Sequence, residues 1–224
     1  MPGIGIGLGL LAALAMASLT ATILRRLPPP VGEPDAPPYA SLISARLFAI
    51  VAVCCTAALV IAVLLSPWQT WPVWFALGTV GILLAVIDAH TGLLPLRLTW
   101  VFAGLVATGV VTVAALRADA AVVCVAVLCG LGSFLLFWLL WGIGQGLGFG
   151  DVRLAGVIGF AAGAVALELA VWSLLLGGLA GVAWGLVARW RRGADGPFPY
   201  GPSLMMGPFL ALLVKAGLAA VGVV

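Results

Sequence analysis

Long apolar runs alternate with short polar breaks from one end of the chain to the other, over approximately 3–24, 45–65, 73–88, 98–116, 120–141, 152–163, 165–187 and 203–223. Most of them approach the roughly 20 residues that a helix needs to cross about 30 Å of hydrocarbon. The pattern predicts an all-α integral membrane protein, a polytopic bundle of about eight transmembrane helices. The sixth run is short. About a dozen residues at 1.5 Å each cover only about 18 Å, so alone it reads as re-entrant, or as half of one long helix over 152–187. Charge decides in favour of a separate crossing. With eight crossings and an external N-terminus, Arg25, Arg26, Arg46, Arg97, Arg153, Arg189, Arg191 and Arg192 all fall in cytoplasmic connections, and only Arg117 and Lys215 fall outside. Merging 152–187 would turn the Arg189, Arg191, Arg192 cluster outward, against the positive-inside bias. The first run has no basic residue ahead of it and is followed by Arg25 and Arg26, so it is expected to be a retained helix rather than a signal peptide.

Composition agrees with the pattern. Hydrophobic residues make up 64% of 224 positions and charged ones 8%, with mean hydropathy +1.29, against about 25% charged residues in soluble domains. A single transmembrane domain over 1–224 is expected, containing a short Pro-rich cytoplasmic linker at 25–44. The net charge of +3 is modest. Its basic residues sit at helix ends, which suits lipid head groups better than nucleic acid. Cys54, Cys55, Cys124 and Cys129 lie inside apolar runs, make no CxxC pair and do not neighbour the one histidine. They are expected to be buried as small hydrophobes, and no metal site or cofactor is expected. Trp68, Trp71 and Trp74 are expected in an aromatic belt at the outer boundary of the second and third helices.

Against this background two carboxylates stand out, Asp88 in AVIDAHTGLLP and Asp151 in GLGFGDVRLAG. An ionisable group at membrane depth costs about 2.5–3.5 kcal/mol on insertion scales, so it persists facing a partner, a cavity or a substrate. The topology sets Asp88 at the cytoplasmic end of the third helix and Asp151 at the cytoplasmic start of the sixth, so the two share one depth. After Asp88, Gly92 and Pro95 turn the chain and Thr99 is a candidate cap for the next helix. An Asp at a helix C-terminus meets the unfavourable end of the dipole, which disfavours its charge; at a helix start, as for Asp151, the dipole favours it. Asp88 can equally be read as a water-facing loop residue.

Ahead of Asp151 the glycines alternate, at 142, 144, 146, 148 and 150. Each costs up to about 1 kcal/mol in a helix interior, so they serve close approach of backbone to a neighbouring helix or to an extended substrate stretch. A third patch, Phe198-Pro199-Tyr200-Gly201-Pro202, precedes the last helix and is expected to form a non-helical turn whose aromatics wall the acids. One carboxylate biased toward the acid and one toward the base is the arrangement of a shared-proton pair. In such a pair the ionised Asp takes a proton from an attacking water, and the protonated one polarises a peptide carbonyl. Little else is available: His90 is the only histidine, and no Ser sits in a nucleophile-elbow setting.

Taken together, the order D…H…LLP…LT, GxGFGDVRL and PYGP, after a first helix ending RRLP, resembles the type IV prepilin peptidases, the GxGD intramembrane aspartyl proteases. The resemblance covers nearly the whole chain. It implies a GxGD-type fold, Asp88 and Asp151 as the catalytic dyad, and Gly148, Gly150, Pro95, Tyr200, Gly201 and Pro202 as substrate-binding or site-shaping residues. It further implies prepilins or pseudopilins as substrates, cut between a short basic leader and an apolar helix at the cytoplasmic face of a bacterial inner membrane. Bifunctional members carry two CxxC pairs after the first helix, linked to N-methylation; this chain has only the linker, which leaves that activity doubtful. Leu96 stands where many members have an acid after Leu-Pro, and Arg153 where the family often has Lys. Arg97 and Arg153 read as snorkelling cations, His90 as an interfacial polar residue. Two other readings stay open: a small transporter or proton pathway using intramembrane acids, and an inactive peptidase-derived scaffold of a pilus or secretion machine.

Overall fold

The computed structural model describes residues 2–29, 38–144, 147–192 and 199–222. These residues fold into eight main helices, with no strand among them: α1 Pro2–Arg26, α2 Ala45–Leu65, α3 Trp68–Thr91, α4 Leu96–Arg117, α5 Ala121–Ile143, α6 Phe149–Val165, α7 Leu167–Arg192 and α8 Gly201–Ala220. A single 3-10 turn, Tyr39–Leu42, precedes α2. The part of the expected linker at 30–37 lies outside the described residues. In hydrocarbon every backbone polar group must be satisfied within the segment, which is why the apolar runs all become helices.

Seven of the eight are long and apolar enough to cross a membrane, which makes this a multi-pass membrane protein. The remaining helix, α6, has 17 residues, about 26 Å of rise. It is nevertheless a separate helix and not part of one long segment. Ala166 is extended (φ −166°, ψ 148°), and α7 turns back to pack beside α6. The far end of α6 is matched to that of α4, because the Arg117 guanidinium donates to the carbonyls of Ala164 and Val165 at 3.3 and 3.2 Å. Arg117 thus satisfies carbonyls that the helix end leaves without intrahelical donors.

Within the bundle α3 is central: 78% of its span is buried, against 22–44% for the other six long helices. It is not uniform. After a 3-10 turn and a short α segment it widens into a π segment at Leu77–Gly81 before returning to α geometry over Ile82–Thr91. Trp74 does not sit at a membrane boundary as expected. It is fully buried and packs at 5.6 Å on Phe209 of α8, because α3 runs through the middle of the bundle; Trp68 alone of the three is exposed. The cysteines divide likewise. Cys55 and Cys129 are buried, Cys54 is half-buried and Cys124 lies exposed on the apolar outer surface, which corrects the expectation that all four are buried.

Small residues bring helices close. A Cβ at Gly159 would lie 2.0 Å from Ser133 Oγ, and one at Gly163 would lie 2.6 Å from Cys129 Cβ, so α5 and α6 pack with almost nothing between them. Gly207 does the same for α8, where a Cβ would meet the Ser173 carbonyl of α7 at 2.1 Å. Elsewhere the ends are capped by ordinary means. Ser44 accepts the Leu47 N–H at 3.2 Å to open α2, and Gly92 in the left-handed region (φ 67°) closes α3.

Candidate functional site

Asp88 lies one turn before the end of α3, 3% exposed. Its carbonyl accepts the Gly92 N–H at 2.7 Å, and the left-handed Gly92 sends the chain through Leu93 and Leu94 to Pro95, which is buried and precedes α4. Leu94 leans on the start of α6: a side chain at Gly150 would come within 3.1 Å of it. The first two sequence patches are thereby joined, since the glycine just before Asp151 leaves room for the loop that follows Asp88. Thr99 does not cap α4. It lies inside the first turns and returns its hydroxyl to the Pro95 carbonyl at 3.0 Å, a bond that Thr makes readily within a helix.

Asp151 is the third residue of α6 and 6% exposed. Its Oδ2 accepts the Gly148 N–H at 3.1 Å, while its own N–H donates to the Gly148 carbonyl at 3.0 Å. This is the reciprocal geometry of a capping box, with glycine in the cap position. The other oxygen, Oδ1, is buried and has no hydrogen-bond partner among the described residues. Such a group calls for an explanation in a native structure.

The two carboxylates, on different helices, come within electrostatic reach of each other. Asp88 is held there by the third patch. Its Oδ2 accepts the N–H of Gly201, the first residue of α8, at 2.9 Å. A Cβ at position 201 would stand 2.7 Å from that oxygen, so glycine is what lets the backbone close on the acid. This changes the expected electrostatics of Asp88. It belongs to the C-terminal turn of its own helix, yet its carboxylate sits on the N-terminus of α8, where exposed N–H groups favour negative charge. Both acids therefore rest on helix starts.

Tyr200 is tied to α7: its hydroxyl donates to the Gly178 carbonyl at 2.9 Å, and its ring fills the place of a side chain at Gly181. Burial first, and then the charge of the neighbouring Asp151, push its phenol above the ordinary value. The patch is thus not the free turn expected from its sequence, since Gly201 and Pro202 already belong to the first turn of α8. Phe198, Gln145 and Gly146 lie outside the described residues.

The structure brings Asp88, Asp151, Gly148, Gly150, Pro95, Tyr200, Gly201 and Pro202 to one end of the bundle. Arg97 and His90 are exposed at the same end, His90 Nδ1 lying 2.8 Å from its own Val86 carbonyl. Arg153 is turned away from the acids. Its guanidinium lies 4.9 Å over the Phe149 ring, which in turn meets Trp141 and Phe134 edge-on at 5.3 and 6.4 Å. Among the described residues no three His, Cys, Asp or Glu side chains gather as a metal site would require. Three contributors were not picked out in the sequence: the Gly201 N–H as partner of Asp88, Leu94 as spacer against Gly150, and the Gly178 and Gly181 seat for Tyr200. The GGLAG stretch of α7 is the one local sign of that seat.

A family model described as the type IV leader peptidase family matches residues 75–186, half of the 224-residue chain, and the matched stretch contains both Asp88 and Asp151. The chain belongs to this family of membrane peptidases. No curated protein and no solved structure matched.

Proposed function

We propose that this peptidase is an aspartyl endoprotease that removes short basic leaders from prepilin-like or pseudopilin precursors, with Asp88 and Asp151 sharing one proton. The observation that carries the reading is the pairing of two buried carboxylates on different helices, each with one oxygen fixed by a glycine N–H. Like charges this close in a site poor in water favour the singly protonated pair. The ionised member takes a proton from water as the water oxygen bonds to the scissile carbonyl carbon. The protonated member donates a hydrogen bond to the carbonyl oxygen. A proton then passes to the departing nitrogen as the C–N bond breaks, leaving a carboxylic acid and an amine, and the pair is ready again. The Asp151 oxygen without a partner is the natural acceptor for that water.

Placement supports the substrate class. Both acids lie near one end of the bundle, Asp88 within the last four residues of α3 and Asp151 within the first three of α6. A transporter site is expected nearer mid-depth. Eight of the ten Lys and Arg residues belong to that same end of the fold, leaving Arg117 and Lys215 at the other. By the positive-inside rule this end faces the cytoplasm of a bacterial inner membrane, the side on which a basic leader is retained. Any methyl transfer is left out of the proposal.

The test is co-expression with a prepilin-like substrate, reading the gel shift and the mature N-terminus. The intact chain cleaves; Asp88→Asn and Asp151→Asn, each still inserted, do not. Cleavage by either variant at the parent rate sinks the shared-proton mechanism.

A further inference from the structure

Behind the helix that carries Asp151, on the outer flank of the bundle, α4, α5 and α6 enclose a groove of about 380 Å³. Its walls are apolar, with Trp100 of α4, Val127 and Leu131 of α5, and Val157 and Phe160 of α6, and it contains one ionisable side chain, Arg153. Trp100, Val127 and Leu131 are 67%, 48% and 53% exposed, so the groove opens sideways, where the membrane lies. Arg153 makes no salt bridge among the described residues; its one recorded contact is with the Phe149 ring.

We propose that this groove is a binding site for an anionic phospholipid of the surrounding bilayer, with one acyl chain along α6 and the phosphate on Arg153. Three observations favour a lipid over a protein helix. Position 153 is two residues from Asp151, about 200° around the helix, so the groove lies on the side of α6 away from the acids and is not the route to them. A helix about 10 Å across displaces on the order of 400 Å³ per turn, so the groove takes scarcely one turn, whereas the slot from Arg153 to Phe160 suits a single extended chain. The charge pattern is that of a lipid, one cation at the end of the groove that shares its level with the acids and apolar side chains from there inward. Arg is well suited to grip a phosphate with two parallel N–H donors, and basic pockets between transmembrane helices are recurrent sites for anionic head groups.

Such a lipid would touch the peptidase site through one residue. Arg153 covers Phe149, which opens α6 two residues before Asp151 and is wedged against Trp141 and Phe134. A phosphate drawing on Arg153 bears on the turn that holds the acid.

The experiment uses the full chain, purified in mild detergent, with bound lipid counted by native mass spectrometry. Dioleoyl phosphatidylglycerol is expected to be retained about fivefold to tenfold better than dioleoyl phosphatidylcholine, the weight of about one basic contact. Arg153→Gln removes that preference and Arg153→Lys keeps most of it. Val127→Trp, on an exposed wall that can take extra bulk, fills the groove and lowers phosphatidylglycerol binding with Arg153 intact. Equal retention of the two lipids, or an unchanged preference in Arg153→Gln, overturns the head-group assignment. Release of the lipid by millimolar inorganic phosphate reduces the site to an anion site, and full binding in Val127→Trp removes the acyl chain from the groove. Displacement by an apolar helical peptide makes it a helix-docking site instead.

Discussion

Asp88 and Asp151 each lean one carboxylate oxygen on a glycine N–H, yet the bond spans 113 residues for Asp88 and three for Asp151. The Asp151 contact forms as soon as α6 acquires its first turn. That of Asp88 exists only when α8 has docked with its first residue against α3. One half of the site is thus local and robust, while the other is a tertiary contact that reports on the assembly of the bundle.

The largest expected effect removes the chemistry from either half. Asp88→Asn and Asp151→Asn each lower leader cleavage by at least the 10²–10⁴-fold usually carried by a positioned acid or base, measured on membranes with insertion checked by protease accessibility. Next comes the comparison itself. Gly201→Ala forces a Cβ to within 2.7 Å of the Asp88 carboxylate, whereas Gly148→Ala brings one to an ordinary 3.4 Å from that of Asp151. The first should cost about 1–3 kcal/mol by overpacking and lower cleavage by roughly tenfold; the second should leave thermal inactivation and activity close to the parent. Equal effects would show that the two acids are held alike.

Tyr200→Phe is a milder probe of the long-range half. It deletes the bond to the Gly178 carbonyl, worth about 0.5–1.5 kcal/mol, and loosens the segment that delivers Gly201. The expected outcome is a lowered melting temperature in detergent and a loss of activity of a few fold. Smallest is His90→Gln. The imidazole is exposed and near its own backbone carbonyl, so cleavage and its pH profile should not move. A shift there would bring His90 into the mechanism.

The local half is also the half that could be read from the amino-acid sequence. The GFGD stretch, the glycine before the acid and the helix that follows are all contiguous, and the short sixth helix was separable from the seventh through the positions of Arg189, Arg191 and Arg192. The Gly201 contact was not legible, because nothing in PYGP states which residue 113 positions away will receive its N–H. The same limit explains the electrostatics of Asp88. Its own helix end was visible, and the opposing helix start was not. Trp74 was misplaced for a related reason: a cluster of tryptophans beside Pro67 has the composition of a membrane boundary, and only packing against Phe209 reveals a core. Seven helices announced themselves by length and apolarity, since hydrocarbon leaves the backbone little choice.

The wide segment at Leu77–Gly81 in α3 has a bearing on Asp88 that distance alone conceals. A π turn holds one residue more than the α turn it replaces, so it resets the angular phase of everything downstream. Removing one residue from this stretch would let α3 run as a continuous α-helix, with Asp88 turned by about 100° and drawn back by about 1.5 Å. The acid would still be present, at nearly the same depth, facing away from Gly201. A single-residue deletion at 77–81 should therefore silence the site while every residue named in it is retained, and any alignment of this chain with a relative lacking the π turn needs a gap there for its Asp88 to match.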